Sequence, residues 1–239
     1  MWRSICLVGV CFLLTGCGNR DVSSSGDSSV LSEMNLVPIS EVVNLEKNVE
    51  EKIDYADLSD DDLQKFVSVG QPFKNLSYEP PDLVPLVSTK SLTIQGTRSL
   101  RQEASEQLSQ LSLAFYEVFK KPLVVMSAYR SYMYQKNQIA ENCKQSGYCA
   151  REGESEHQLG LVVDLWEASN EEKFLAKYQA EYDWLVENAW NWGFHQSYQK
   201  GKLVDGYAVE PRHWRYLGSK LAKELWEKGM TFSEFISAS

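Results

Sequence analysis

The chain has only three histidines, His157, His195 and His213, so any imidazole chemistry must choose among them. His157 stands in Ser155-Glu156-His157-Gln158-Leu159-Gly160, directly before the apolar run Leu161-Val162-Val163-Asp164-Leu165-Trp166. An aspartate inside such a run needs a partner once buried, and a metal ion is a strong one. His213 closes Glu210-Pro211-Arg212-His213. Two imidazoles and a carboxylate make a set for one Zn²⁺, because a catalytic zinc takes three protein ligands and keeps a further position for water. Glu210 is then the spare carboxylate that can accept a proton from the attacking water. Pro211 disfavours helical geometry at Glu210, so this pair is expected at a strand end or turn, unlike the helical paired histidines of zincins.

The same residues admit plainer roles. His157 can cap a turn, Asp164 can pair with an arginine, and Glu210 can be a solvated surface carboxylate. His195, in Trp192-Gly193-Phe194-His195-Gln196-Ser197, has no acidic neighbour close in sequence and reads as a half-buried structural residue. A site that uses all three histidines stays open.

The elements that must position these residues follow from periodicity. Leu100, Ala104, Leu108, Leu111, Phe115, Val118 and Phe119 recur at three- and four-residue steps, which predicts an amphipathic helix between Thr97 and Lys121, ended by Pro122. Leu123 to Met126 and Leu161 to Trp166 read as strands. On the second, period-two alternation puts Val162, Asp164 and Trp166 on one face. Helices are expected over Tyr132 to Gln145, over Glu171 to Trp192 with Gly193 as its stop, and over Trp214 to Lys228, with a strand from Gly193 to Tyr198. Pro72, Pro80, Pro81 and Pro85 make residues 72–86 an extended lead-in. The irregular mixture fits an α+β domain with a small antiparallel sheet packed by helices, better than a strict βαβ array.

The N-terminus has a different character. Arg3 precedes an apolar run from Ile5 to Leu14 that stops at Thr15-Gly16-Cys17. A run of about ten residues is too short to span a bilayer core, which needs roughly 20, and it reads as an export signal over residues 1–16. Leu14-Thr15-Gly16-Cys17 resembles the lipobox of bacterial lipoproteins, which makes Cys17 a lipid anchor. Residues 17–70 follow as a Ser-rich, then acidic, flexible tether, with the folded domain expected over residues 71–239.

Cys143 and Cys149 then remain for an oxidising compartment, bracketing the turn signal Ser146-Gly147, and they are expected to form a disulfide. Two free thiols or half a metal site are the alternatives, and no second Cys/His pair lies nearby to complete a zinc ribbon.

Composition bounds the functional class. The 239 residues are 43% hydrophobic and 24% charged, within the globular range. The net charge of −9 argues against nucleic acid, which selects clustered Lys and Arg. That charge is uneven: residues 18–62 hold 12 acidic and 3 basic residues, whereas residues 63–239 hold 21 and 20. The anionic character belongs to the tether, and a locally cationic site remains possible in the domain.

Four ordered blocks, Ser127-Ala128-Tyr129-Arg130-Ser131 with Gln135, Ser155-x-His157-x-x-Gly160-x-x-x-Asp164, Trp192-Gly193-Phe194, and Glu210-x-x-His213 with Arg215-Tyr216, together resemble the VanY-like D-alanyl-D-alanine carboxypeptidases and their L,D-carboxypeptidase relatives. The likeness spans about Pro72 to Gly229. It implies an α+β zinc peptidase with one Zn²⁺ on His157, Asp164 and His213, and Glu210 as the catalytic base. It also implies that Arg130 binds the terminal carboxylate of the substrate, with Ser155 and Gln135 lining the site. An Arg fork suits that task, since it meets a carboxylate bidentately. Two positions depart from the family pattern: Arg212 stands where Trp is usual, and Val162 where Ala is common. The expected activity is removal of C-terminal D-Ala from peptidoglycan stem peptides, D,D or L,D, by a membrane-anchored, extracytoplasmic monomer. An endopeptidase using the same zinc chemistry and a non-catalytic wall-binding lipoprotein are the alternatives.

Overall fold

A computed structural model describes residues 52–96, 98–140, 149–166 and 171–238. The signal sequence, Cys17, Cys143 and most of the expected tether lie outside the described residues. None of the described helices is long and apolar enough to cross a membrane.

Two sheets organise the domain. β1 (Leu83–Pro85) pairs antiparallel with β3 (Ser99–Arg101). The main sheet holds β2 (Leu92–Ile94), β4 (Leu123–Ser127), β5 (Val162–Leu165), β7 (His213–Tyr216) and β6 (Phe194–Gln196), side by side in that order. It is mixed and not wholly antiparallel as expected, because β2 and β4 run parallel. The connection explains this: it includes α1 (Gln102–Phe119), and a parallel pair needs such a long crossover.

The helix expected from Thr97 begins only at Gln102. Its stripe of Ala104, Leu108, Leu111 and Phe115 is fully buried on the core side. It ends at Lys120, which takes the left-handed conformation (φ 54°) before Pro122. Leu100 and Arg101 ahead of it are also buried, but as strand residues: Arg101 Nε donates to Asp82 Oδ1 at 2.8 Å.

A larger correction concerns Trp214 to Lys228, expected as one helix. Its first part, Trp214 to Tyr216, belongs to the strand that His213 opens between β5 and β6, and only Ser219–Lys228 is helical. All four strand residues are buried, and pairing on both sides satisfies their backbone groups in a way that local helix propensity cannot reveal. Trp166, expected to continue the β5 face, has φ 52° and leaves the strand. Of the helix expected over Tyr132 to Gln145, the described part is one α-turn, Tyr132–Tyr134, followed by a π-helix, Gln135–Ala140, and residues 141–145 lie outside the described residues. Glu171–Asn188 is helical, with non-helical torsions at Tyr178, and Ala189–Trp192 is a 3₁₀ turn closed by Gly193.

Residues 52–70, placed by sequence in the tether, pack against the domain well before residue 71. Lys65 and Val67 are about 1% exposed. Lys65 Nζ donates to the Ala56 carbonyl, and Tyr55 and Phe66 pack edge-on against Phe232. The buried guanidinium of Arg215 donates to the Lys65 carbonyl at 2.5 Å. This strap therefore supplies acceptors to the centre of the fold.

Candidate metal centre and active site

Three adjacent strands set the site. On β4, a register shift between Val125 and Ser127 aligns Ser127 with Asp164 of β5, and Asp164 in turn faces His213 of β7. The third ligand type arrives from a 3₁₀ turn, Glu156–Leu159, which carries His157 immediately upstream of β5. That turn closes at Gly160 with φ 68°, and a Cβ there would meet Leu83 Cδ2 at 2.8 Å. Only glycine lets the chain leave the turn and enter β5 in so little space.

His157, Asp164 and His213 are all buried, and each offers a ligand atom within 4.8 Å of the others. The outer nitrogens of both rings are occupied by acceptors. His157 Nδ1 donates to the Ala128 carbonyl at 2.7 Å, a partner that can only accept, so Nε2 carries the lone pair and faces Asp164 Oδ2 at 3.3 Å. His213 Nε2 lies 2.9 Å from Glu156 Oε2, and its Nδ1 lies 3.4 Å from Asp164 Oδ1. Asp164 Oδ1 accepts no hydrogen bond although it is buried. A buried carboxylate with one orphaned oxygen, each oxygen facing a different imidazole nitrogen, fits a divalent cation, and the outer hydrogen bonds are those that orient metal-binding imidazoles.

The electrostatics agree with that fit. Burial opposes the Asp164 charge, but His157 and Arg130 hold its carboxyl well below the usual range. Burial and the Arg130 charge lower His157 to about 4, leaving it neutral as a ligand must be. Burial would also lower His213, but Asp164 and Glu156 outweigh it and push the ring up to about 9. Positive charge is thus favoured between these carboxylates, and a metal ion can supply it in place of the proton. Glu156 is held ionised against its burial by Arg215, whose Nη1 lies 2.6 Å from Oε1, and by His213.

Glu210 is not part of the His157, Asp164 and His213 cluster but lies next to it. Its Oε2 is 3.9 Å from His213 Nδ1. Burial raises its pKa, against a downward pull from His213. A carboxyl tuned upward beside a metal cluster suits a general base. The ring of Tyr198 lies over His213, with centroids 4.5 Å apart.

All seven residues singled out by sequence for catalysis, substrate and metal, Arg130, Gln135, Ser155, His157, Asp164, Glu210 and His213, line one cavity of about 190 Å³. Gln135 Nε2 donates to the Ala150 carbonyl at 2.7 Å, while its Oε1 is buried without a partner. Arg130 does more than expected: Nε donates to Ser127 Oγ at 2.9 Å and Nη2 to Asp164 Oδ2 at 2.6 Å. Cys149 also lines the cavity and is disulfide-bonded. His195 lies outside the cluster, on β6 opposite Arg215. Sequence reasoning quoted Arg215 but missed Glu156 and the pairing of the two, a buried ion pair behind His213. The only signal was a carboxylate next to His157, which nothing local connects to residues 213 and 215.

The comparisons with known proteins point to one family. The family profile described as VanY, D-alanyl-D-alanine carboxypeptidase, matches residues 97–219, just over half of the chain. YodJ of Bacillus subtilis (strain 168) is 34% identical over 172 residues, covering 66% of this chain and 62% of YodJ. A D-alanyl-D-alanine carboxypeptidase of Enterococcus faecalis (strain ATCC 700802 / V583) is 35% identical over 86 residues, covering 36% of this chain and 31% of that enzyme. The chain thus spans less than two thirds of the length of either curated relative. Among solved structures, the LdcB LD-carboxypeptidase, described for its peptidoglycan recognition, superposes with a TM-score of 0.63 at 28% identity, covering 74% of this chain and 87% of LdcB.

Proposed function

This chain belongs to the VanY family of D-alanyl-D-alanine carboxypeptidases, and from that premise we propose that it is a zinc-dependent carboxypeptidase that removes the C-terminal D-Ala from peptidoglycan stem peptides. The observation that carries the reading is the buried His157, Asp164 and His213 cluster, in one cavity with Glu210, whose carboxyl is raised by burial.

His157, Asp164 and His213 would hold a zinc ion, which would supply Lewis acidity for the scissile carbonyl and a lowered pKa for the attacking water. Glu210 accepts that water's proton and passes it to the leaving amine, so no covalent intermediate is required. His157 and His213 keep their lone pairs inward because Ala128 and Glu156 take their outer N–H groups. Arg130 braces Asp164 and offers its remaining N–H donors to the terminal carboxylate of the substrate. Ser155 and Gln135 line the peptide's path.

The placement proposed for the enzyme follows the sequence. Residues 1–16 export the chain, Cys17 is lipidated, and the domain works outside the cytoplasm as a membrane-tethered monomer, with Cys143 bonded to Cys149. The test is incubation of the purified protein with pentapeptide and tetrapeptide muropeptides, with and without a chelator. Chelator-sensitive release of D-Ala is expected, and its absence from both substrates overturns the reading. Loss from the pentapeptide identifies D,D activity and loss from the tetrapeptide L,D activity. Internal cleavage products would assign an endopeptidase instead.

A further inference from the structure

Two arginines line the cavity that holds the His157, Asp164 and His213 cluster, and they are not equivalent. Arg130 is committed on two sides, to Ser127 and to Asp164. Arg212 is partly buried and lines the same cavity, yet its side chain forms no hydrogen bond or ion pair among the described residues. Its charge is felt by Glu210, whose pKa it pulls downward. Its backbone is fixed, since the Arg212 carbonyl accepts from Leu165 N at 2.9 Å and the next residue enters β7. The structure therefore keeps a guanidinium beside the catalytic carboxylate without giving it an anion of its own.

Charge counting identifies what is missing. In the cavity lining, Arg130 and Arg212 balance Asp164 and Glu210. A divalent ion on the cluster then leaves an excess of two positive charges. A peptide that brings only its terminal carboxylate neutralises half of that excess. In a small cavity of about 190 Å³ the remainder attracts a second anion.

We infer that Arg212 is a specificity residue that binds a second carboxylate of the substrate, carried on a side chain close to the scissile bond. The inference rests on the carboxypeptidase reading above and names its substrate class: stem peptides with a free acidic side chain near the cleaved D-Ala, in preference to the same peptides with that group amidated. Guanidinium and carboxylate meet as two parallel charge-assisted bonds, whereas a carboxamide offers one neutral acceptor, so the discrimination expected is about tenfold or more.

The experiment compares L-Ala-γ-D-Glu-meso-diaminopimelyl-D-Ala with its diaminopimelic carboxamide, and the corresponding pentapeptide pair, on the full zinc-loaded chain. The kcat/KM ratio within each pair is measured for wild type, Arg212→Gln and Arg212→Lys, with circular dichroism to check folding. Calorimetric Kd values for the same pairs are taken on Glu210→Gln protein, alone and combined with Arg212→Gln. The free acid is expected to win by about tenfold in both readouts, Arg212→Gln to bring the ratio to within about twofold of one, and Arg212→Lys to fall between. A wild-type ratio near one, or equal losses on both substrates in Arg212→Gln, overturns the inference. Hydrolysis without preference removes the Arg212 assignment alone. An Arg212-dependent Kd preference without hydrolysis keeps it and removes the carboxypeptidase reading.

Discussion

Glu156 Oε2 lies 2.9 Å from His213 Nε2, and both groups are almost fully buried. Glu156 is simultaneously held by Arg215 at 2.6 Å, so an Arg–Glu–His chain runs from the core to the metal cluster. Carboxylate partners of this kind fix the tautomer of a ligand imidazole and raise its basicity.

Substitution of Glu156 by Gln removes the charge that orients His213 while keeping its shape. Zinc affinity, measured by competition with a chromogenic chelator, is expected to fall by about 10- to 100-fold. The buried Arg215 loses its counter-charge in the same variant, so chemical denaturation should show a destabilisation of about 3 kcal/mol or more. Unchanged zinc affinity in a folded variant would rule out the positioning role.

Glu210→Gln separates catalysis from metal binding. The carboxylate is not among the three clustered residues proposed to hold the metal, so the zinc stoichiometry by atomic absorption should stay at that of wild type. A base removed from the reaction costs roughly 10²- to 10⁴-fold in kcat. Loss of zinc together with loss of turnover would place Glu210 among the ligands.

Residues 52–70 belong to the folded unit, and truncation tests this. A chain starting at residue 51 should retain wild-type Tm and activity. One starting at residue 71 loses Val67 from the core and the Leu63 and Lys65 carbonyls that accept from Arg215 Nη2. Leaving that buried donor unsatisfied costs about 1–3 kcal/mol, with the apolar loss added. Equal thermal stability of the two chains would show the strap to be dispensable.

Acid should weaken the fold through His195, a buried residue outside the metal cluster. Burial lowers its pKa to about 4, with Glu156 opposing and Arg215 reinforcing the shift. The unfolded chain, with a His pKa near 6.5, binds this proton more readily than the native state between those values. Stability contributed by neutral His195 is therefore complete above about pH 6.5 and falls as the pH drops towards 4, by up to about 3 kcal/mol. Urea titrations at pH 7, 5.5 and 4.5 should show a shallower acid-side decline for His195→Gln than for wild type. Parallel declines would assign the acid lability elsewhere.

Legibility in the sequence was uneven, for physical reasons. The α1 stripe and the runs at β4 and β5 were readable because burial of one face or of a whole strand imposes its period on the residue types. His213 begins a strand as expected, but Trp214 to Tyr216 was misread as helix, because an apolar, aromatic stretch suits either a helix or a strand, and pairing with β5 and β6 decides which. Arg130 was legible as a site residue, but its bond to Asp164 was not, since the two lie 34 residues apart.

What the sequence by itself determined is the chemical inventory: only three histidines, one aspartate in an apolar run, and a glutamate and arginines in ordered blocks, enough to nominate the residues that the fold gathers in one cavity. What only the tertiary structure decided is which groups stand behind that inventory. The last strand inserts between two earlier ones, bringing His213 opposite Asp164 and against Glu156, 57 residues away in the chain. The strap at residues 52–70 reaches Arg215 across about 150 residues. Such partners leave no local period or spacing, because they are selected by the desolvation of buried charge, which exists only once the chain has closed around it.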